Sequence, residues 1–255
     1  MRKINDTDQL VSIIMPSYNA SRFISEAIES VIAQTYSFWE LIIVDDCSQD
    51  NSLKIINDYI LKDDRIKVIP LKSNVSAAEA RNIALRNAKG RFIAFLDSDD
   101  VWKSDKLMIH INTMRNNNWA FTFSNYELMR EDGTLLNKVI EMPIEIDYSH
   151  YLRNTIIGCL TVVIDKKQVG YFEMPLIKSS HDMALWLLIM KRGFKAYSIK
   201  ENIAIYRLVS TSNTSKKWKA AQDVWRVYRK IEKLNIFYST YNFLGYTFNA
   251  IKKRL

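Results

Sequence analysis

The stretch Arg91 to Trp102, RFIAFLDSDDVW, constrains the fold more than any other part of the chain. Phe92, Ile93, Ala94, Phe95 and Leu96 form an apolar block with no polar alternation, too short to span a membrane. Such a block predicts a strand covered on both faces within a parallel sheet. Asp97, Ser98, Asp99 and Asp100 follow at its carboxyl end. In open α/β sheets that edge is where ligands bind. Carboxylates crowded there repel one another, a cost that a divalent cation and a ligand's polar groups can offset, and a metal-bridged diphosphate suits the demand. A single Asp after a strand more often caps the next helix, and Asp-x-Asp alone is a weak motif. The stretch gains its meaning from what precedes it.

Upstream, Leu10 to Met15 reads as a second buried strand, followed by the turn Pro16 to Ala20 and the helical spacing of Phe23, Ala27, Ile28, Val31 and Ile32. Trp39 to Val44 predicts a third strand, ending in Asp45 and Asp46, and a helix is expected from Ser52 to Leu61. Ile66 to Pro70 is a short strand, and Ala77 to Ala88 a helix ended by Gly90. Alternating β and α elements imply a parallel sheet with helices on both faces. Three strands then deliver polar loops to one edge: Tyr18 with Asn19, Asp45 with Asp46, and Asp97 with Asp99. No G-x-G-x-x-G follows the first strand and no G-x-x-x-x-G-K-[ST] occurs, so neither phosphate-cradling loop is present.

A nucleotide must therefore be gripped by side chains. Tyr18 offers a ring face for a base, Asp46 an acceptor for a pyrimidine N–H, and Asp45 either a partner for a ribose hydroxyl or a brace for its loop. Arg81 suits the base or the phosphates, Asp97 the ribose, and Asp99 the metal that neutralises a diphosphate. Each has a plain alternative: Tyr18 at the edge of the core, Asp46 capping the Ser52 helix, Arg81 in a surface ion pair.

Taken together, VSIIMPSYNA (Val11 to Ala20), ESVIAQTY (Glu29 to Tyr36), ELIIVDDCSQD (Glu40 to Asp50), ARNIAL (Ala80 to Leu85) and KGRFIAFLDSDDVW (Lys89 to Trp102) resemble the family 2 glycosyltransferases. The resemblance covers roughly the first half of the chain, and several independent motifs carry it in order and spacing. It implies an α/β fold of GT-A type, a Rossmann-like, mostly parallel sheet flanked by helices. It also implies that Pro16, Tyr18 and Asp46 hold the base, Asp97 the ribose and Asp99 a Mn²⁺ or Mg²⁺ ion, with Asn19, Asp45, Arg81 and Ser98 completing the donor site. The loop before Arg81, SNVSAAEARN, lacks the glycine many relatives carry there.

In the second half, Leu107 to Met114 predicts a helix, Trp119 to Tyr126 a strand entering a hairpin over Glu131-Asp132-Gly133, Tyr148 to Asn154 a helix, and Gly158 to Ile164 a strand. A final strand is expected near Ala196 to Arg207. Lys178 to Phe194, KSSHDMALWLLIMKRGF, reads as a helix from Met183, capped by Ser179 or Ser180 and ended by Gly193. Asp182 at its start is favoured by the helix dipole, and the plain reading stops there. Relatives commonly carry Glu-Asp or a similar pair at this place before an apolar helix with Trp. The resemblance thus makes Asp182 the catalytic base, with His181 and Trp186 toward the acceptor. The chemistry needs such a base, because the attacking hydroxyl loses a proton as the diphosphate departs. One carboxylate and one metal suffice for inversion, and no second nucleophile is apparent. His110, His150 and His181 have no metal-ligand spacing.

The chain has 255 residues, 48% of them hydrophobic, enough for one large α/β domain. The expected division is a donor half at residues 1–112, an acceptor half at 113–210 and a loop with a basic helical tail at 211–255. Cys47 and Cys159 lie far apart, which fits a reducing compartment. The amino-terminal residues are polar and no run approaches membrane-spanning length, so a cytoplasmic protein is expected.

The net charge of +8 belongs to the tail: from Lys216 to Leu255 ten Lys and Arg face two Asp and Glu, against 26 and 26 before it. Trp218, Ala221, Trp225, Tyr228 and Ile231 fall at helical spacing amid basic residues, followed by the aromatic run Phe237 to Phe248 and then Lys252-Lys253-Arg254. Two readings stand open for this tail. One is peripheral docking on the anionic inner face of the plasma membrane, where a lipid-linked acceptor is found; the other is packing on the body or a second subunit. No DNA or RNA motif accompanies it. The loop Val209 to Ser215 resembles the segment that folds over the donor in relatives, with Tyr206-Arg207 at its hinge.

The expected function is an inverting, metal-dependent glycosyltransferase of hexosyltransferase type, moving a sugar from a UDP donor to a hydroxyl of a lipid-linked bacterial surface polysaccharide. The alternatives are a nucleotidyltransferase, which lacks its triphosphate loop here, and a non-catalytic protein keeping the nucleotide fold.

Overall fold

A computed structural model describes residues 8–209 and 217–252. The first part of the chain forms β1 (Val11–Ser17), α1 (Ile24–Ile32), β2 (Trp39–Asp45), α2 (Ser52–Ile60), β3 (Ile66–Pro70), α3 (Ala77–Asn87) and β4 (Phe92–Phe95). Then come β5 (Val101–Trp102), α4 (Lys106–Asn117), β6 (Phe121–Arg130), β7 (Leu135–Ile140), β8 (Glu145–Ile146) and α5 (Tyr148–Arg153). The remainder is β9 (Val163–Asp165), α6 (Lys166–Val169), α7 (His181–Lys191), β10 (Ala196–Leu208), α8 (Lys217–Arg226) and α9 (Ile236–Lys252).

Among the described residues these strands make one sheet, in the order β3-β2-β1-β4-β9-β6-β10-β5, with β7 on β6 and β8 on β10. Pairing is parallel from β3 through β4 and between β6 and β10. The short strand β9 joins these two blocks, antiparallel to both β4 and β6. It is shorter than the strand expected over Gly158–Ile164, because Cys159–Thr161 winds into a 3-10 turn first. Residues 1–112 and 113–210, the two expected halves, therefore contribute strands to one continuous sheet among the described residues.

Alternate side chains on each strand point to opposite faces. Val11, Ile13 and Met15 of β1 pack with α1, and with Leu107 and Ile111 of α4, on one side. Ile14, with Ile42, Val44, Ile93 and Phe95, packs against Ala80 and Ala84 of α3 and against α7 on the other. The chain enters β4 at Gly90, where a Cβ would lie 2.6 Å from the Leu10 carbonyl oxygen and 2.7 Å from the Ser12 nitrogen. Only glycine permits that approach.

Helix α7 is apolar nearly all round because it is buried nearly all round, with Met183, Ala184, Leu185, Trp186, Leu187, Ile189 and Met190 in the core. The expected serine cap does not form. Ser180 takes a left-handed φ of 58° with no side-chain cap, and Ser179 Oγ donates instead to Asp223 of α8. Gly193, at φ 96°, ends the helix as expected.

In the tail, Val224, Val227 and Tyr228 are buried and the Tyr228 hydroxyl donates to the Leu152 carbonyl. The first tail helix thus packs on the body. Of the loop Val209–Ser215 only Val209 falls within the described residues; Lys216, Lys253, Arg254 and the Trp218 side chain lie outside them.

Candidate active site

The carboxyl ends of β1, β2 and β4 lie side by side, because these strands are neighbours in parallel register. Pro16 sits beyond the last β1–β4 pair, Ile14 with Phe95, where a missing N–H removes no bond to β4. Tyr18 follows with its side chain 52% exposed, so its ring face is accessible. Asn19 stitches two loops: its N–H donates to Ser48 Oγ at 2.9 Å, and its Oδ1 accepts the Gln49 N–H at 2.8 Å. Asp45 is a loop brace, accepting from the Ser48 N–H and hydroxyl at 3.0 and 2.6 Å.

Asp46 does not cap α2. That helix start is served by Asp50, whose carboxyl is held at about 2 because hydrogen bonds from Ser52 and Ser21 outweigh its partial burial. Asp46 instead accepts the N–H groups of Val75 and Ser76 at 2.7 and 3.0 Å, leaving further lone pairs free. Those bonds hold Ser76 at φ 93° and ψ 154°, a region that glycine occupies without strain. This is the loop SNVSAAEARN that leads to Arg81. Ser76→Gly is expected to stabilise the protein by about 1 kcal/mol, strain relief exceeding the added chain entropy, and to raise the thermal unfolding midpoint.

The turn from Asp97 to Asp100 is closed by the Asp100 N–H donating to the Asp97 carbonyl at 3.1 Å. Arg207, near the end of β10, locks it from behind. Its N–H donates to Asp100 Oδ1 at 2.9 Å, its Nε to the Asp99 carbonyl at 2.8 Å and its Nη2 to Glu26 Oε2 at 2.5 Å. Arg207, expected at the hinge of a covering loop of which only Val209 is described, is a fully packed clamp, 2% exposed, on the acidic turn. No local pattern marks it, since its partners, the Glu131 carbonyl among them, lie 76 to 181 residues away. Burial, and then the neighbouring Asp97 carboxylate, push the Asp99 carboxyl up to about 6. Burial with Asp99 and Asp97 raises Asp100 well above the usual carboxylate range.

Arg81 of α3 connects this turn to the start of α7. It is no surface ion pair: it is 5% exposed, its Nη2 pairs with Asp97, and its Nη1 meets His181 Nε2 at 2.7 Å. A guanidinium only donates, so Nε2 accepts and the imidazole proton sits on Nδ1, which is buried with no hydrogen-bond partner among the described residues. Burial and the Arg81 charge lower the His181 pKa, which keeps the ring neutral near pH 7. Asp182 follows at the start of α7, accepting the Met183 N–H at 2.8 Å, and its charge acts on Arg81, His181 and the buried Tyr151 phenol.

Trp186 does not belong to this surface. It is fully buried, packed against Phe95 and Phe121 at 5.5 and 5.3 Å between ring centroids, and so cannot touch an acceptor. The tryptophan is a core residue at helical spacing from Asp182.

The described residues contain no set of three His, Cys, Asp or Glu that could hold a metal alone. They do fit a cation completed by phosphate oxygens, since Asp99 is half-buried among like charges that a cation would neutralise.

Residues 12–174 match the family described as Glycosyl transferase family 2. The chain is 50% identical over 246 residues to the putative teichuronic acid biosynthesis glycosyltransferase TuaG of Bacillus subtilis, covering 96% of this chain and 98% of that one. It is 41% identical over 247 residues, covering 96% and 95%, to WfgD of Escherichia coli, a UDP-Glc:alpha-D-GlcNAc-diphosphoundecaprenol beta-1,3-glucosyltransferase. Staphylococcus aureus TarS 1-349, solved with UDP-GlcNAc, shares the fold at a TM-score of 0.70 and 19% identity, covering 93% of this chain and 71% of that one.

Proposed function

Because the chain belongs to glycosyl transferase family 2, and is a nucleotide-sugar glycosyltransferase of the bacterial surface-polysaccharide kind, we propose that it transfers a hexose from a UDP donor, with inversion, to a lipid-linked glycan. The observation that carries this reading is the continuous path Asp99–Asp97–Arg81–His181–Asp182, which sets an acidic donor turn against a carboxylate at a helix start. UDP and the lipid carrier are supported by the donor and acceptor in WfgD's name.

In this reading residues 1–112 take the donor, 113–210 the acceptor and 211–255 the carrier surface. Tyr18 stacks on the base, flanked by Pro16, and the free lone pairs of Asp46 accept its N–H. Asn19 and Asp45 hold the shape of the base loop, and Ser98 lines the turn. Asp97 takes the ribose and Arg81 holds Asp97 in place. Mn²⁺ or Mg²⁺ at Asp99 supplies charge for the departing diphosphate. Asp182 accepts the proton of the acceptor hydroxyl as its oxygen bonds to the anomeric carbon and the sugar–phosphate bond breaks. The neutral His181 ring, its Nε2 bound by Arg81, ties the start of α7 to the acidic turn and so positions Asp182 toward that hydroxyl.

The test is a thermal-shift and turnover screen of nucleotide sugars with and without Mn²⁺. Asp99 adds a pH signature. Its folded pKa of about 6 lies above its ordinary 3.8, so the folded state holds this proton more tightly. Between these values the metal-free protein loses stability as pH rises, and that loss is complete above about pH 6. A cation competes with the same proton. The midpoint gain from Mn²⁺ with UDP is therefore expected in full at about pH 7.5, falling through about pH 6 and absent at about pH 5. A gain independent of pH would place the metal elsewhere, and no gain with any nucleotide would refute the donor assignment.

A further inference from the structure

Helix α9 is inverted with respect to water. Toward the body it turns Ser239 and Asn242, 0% and 1% exposed, whose side chains donate to the Asn235 and Tyr238 carbonyls, both at 2.8 Å. Toward solvent it turns Phe237, Tyr241, Leu244 and Phe248, 85%, 58%, 66% and 68% exposed. Their spacing of four, three and four residues puts them on one stripe about 16 Å long. A patch of this kind marks a surface that another apolar phase covers. Packing does not explain it, because Phe243 and Tyr246 already supply the ring contacts with Trp225 and the core.

Charge identifies the covering phase. The two acids of the tail are turned inward: Asp223 is bound by Ser179 and Arg226, and Glu232 by Tyr148 and Lys191. Both are at most 7% exposed. Arg229, Lys230 and Lys233, just before α9, are exposed, and α9 itself contains no Asp or Glu. Beside the stripe, α5 and α9 enclose a groove of about 700 Å³ lined by His150, Arg153, Tyr241, Leu244, Phe248 and Glu145, the last with its charge met by Lys195 at 2.6 Å. The Arg153 guanidinium lies 5.9 Å from the Tyr241 ring centroid, and a Cβ on Gly245 would come within 2.9 Å of its side chain. Glycine at this position lets the cation lie across the helix next to the aromatic stripe.

We propose that α9 docks flat on an anionic phospholipid bilayer, with Phe237, Tyr241, Leu244 and Phe248 in the headgroup boundary and Arg153 meeting lipid phosphate in the α5–α9 groove. Aromatic rings favour that boundary, and basic residues beside an apolar stripe add attraction to anionic lipid. No helix among the described residues is long and apolar enough to cross a membrane, which agrees with lying on the surface rather than spanning it. The proposal deepens the reading of a lipid-linked acceptor by naming the surface that meets the carrier's membrane.

The experiment is flotation of the full chain with vesicles of phosphatidylcholine alone or mixed with phosphatidylglycerol, beside the variant Phe237→Ser/Leu244→Ser/Phe248→Ser and the variant Arg153→Gln. All three residues of the first variant are exposed, and circular dichroism checks that it folds. Flotation with the mixed vesicles is expected, with much less on phosphatidylcholine. The triple variant should bind about tenfold more weakly or worse, and Arg153→Gln should narrow the difference between the two vesicle types. No flotation of the intact chain, equal flotation on both vesicle types, or undiminished flotation of the triple variant would overturn the proposal. So would a dimer in light scattering that the triple variant converts to monomer while the intact chain ignores vesicles. Flotation needs neither donor nor acceptor, so its failure leaves the transferase reading standing, and failure of turnover leaves this one.

Discussion

Asp182→Asn is expected to reduce turnover by about 10²–10⁴-fold while leaving UDP-sugar binding unchanged, the signature of a lost general base. The substitution is conservative for structure. An Asn oxygen can still accept the Met183 N–H, and the lost interaction with the dipole of α7 is worth only about 0.3–1 kcal/mol. If Asp182 merely favoured the helix start, the variant would show that small loss of stability and normal rates. Single-turnover assays separate the outcomes, with calorimetric titration of the donor as the control.

Asp99→Asn should move activity and stability in opposite directions. Removing the anion is expected to lower turnover by about 10²–10³-fold and to abolish the effect of Mn²⁺ on donor binding. In the metal-free protein, however, Asp99 is a cost above about pH 6, because burial and Asp97 oppose its charge. The neutral amide removes that cost, so the variant should melt at a higher temperature than the parent at neutral pH without metal. A variant that loses activity and also melts lower would indicate that Asp99 is structural. A non-catalytic protein on this fold would show no turnover to lose.

The two substitutions address two sides of one site, and the sequence reveals those sides unequally. The edge formed by the carboxyl ends of β1, β2 and β4 was legible because its parts are local. Each apolar run ends in its own polar loop, and parallel neighbours must deliver those loops to the same edge. Tyr18, Asp46, Asp97 and Asp99 arrive there for that reason. Asp182 was legible through the motif around it, but Trp186 was misassigned: a tryptophan one helical turn from a functional residue reads the same in the core as at a surface. The grip of Arg207 on the acidic turn was not legible, because its partners Asp99, Asp100, Glu26 and Glu131 are all distant in sequence.

Element type, the delivery of the loops after β1, β2 and β4 to one edge, and the crowding of carboxylates beyond β4 follow from the sequence alone, since periodicity, turn residues and short spacing act within a few residues. Tertiary structure decided which charges are paired and which side chains are free. Arg81 became a buried link between Asp97 and His181, the acids of the tail turned inward, and α9 was left with its aromatic side to solvent. Burial and electrostatic pairing depend on contacts between residues tens to hundreds of positions apart. No local pattern encodes that Phe243 and Tyr246 of α9 meet the body while Phe237, Tyr241, Leu244 and Phe248 face solvent.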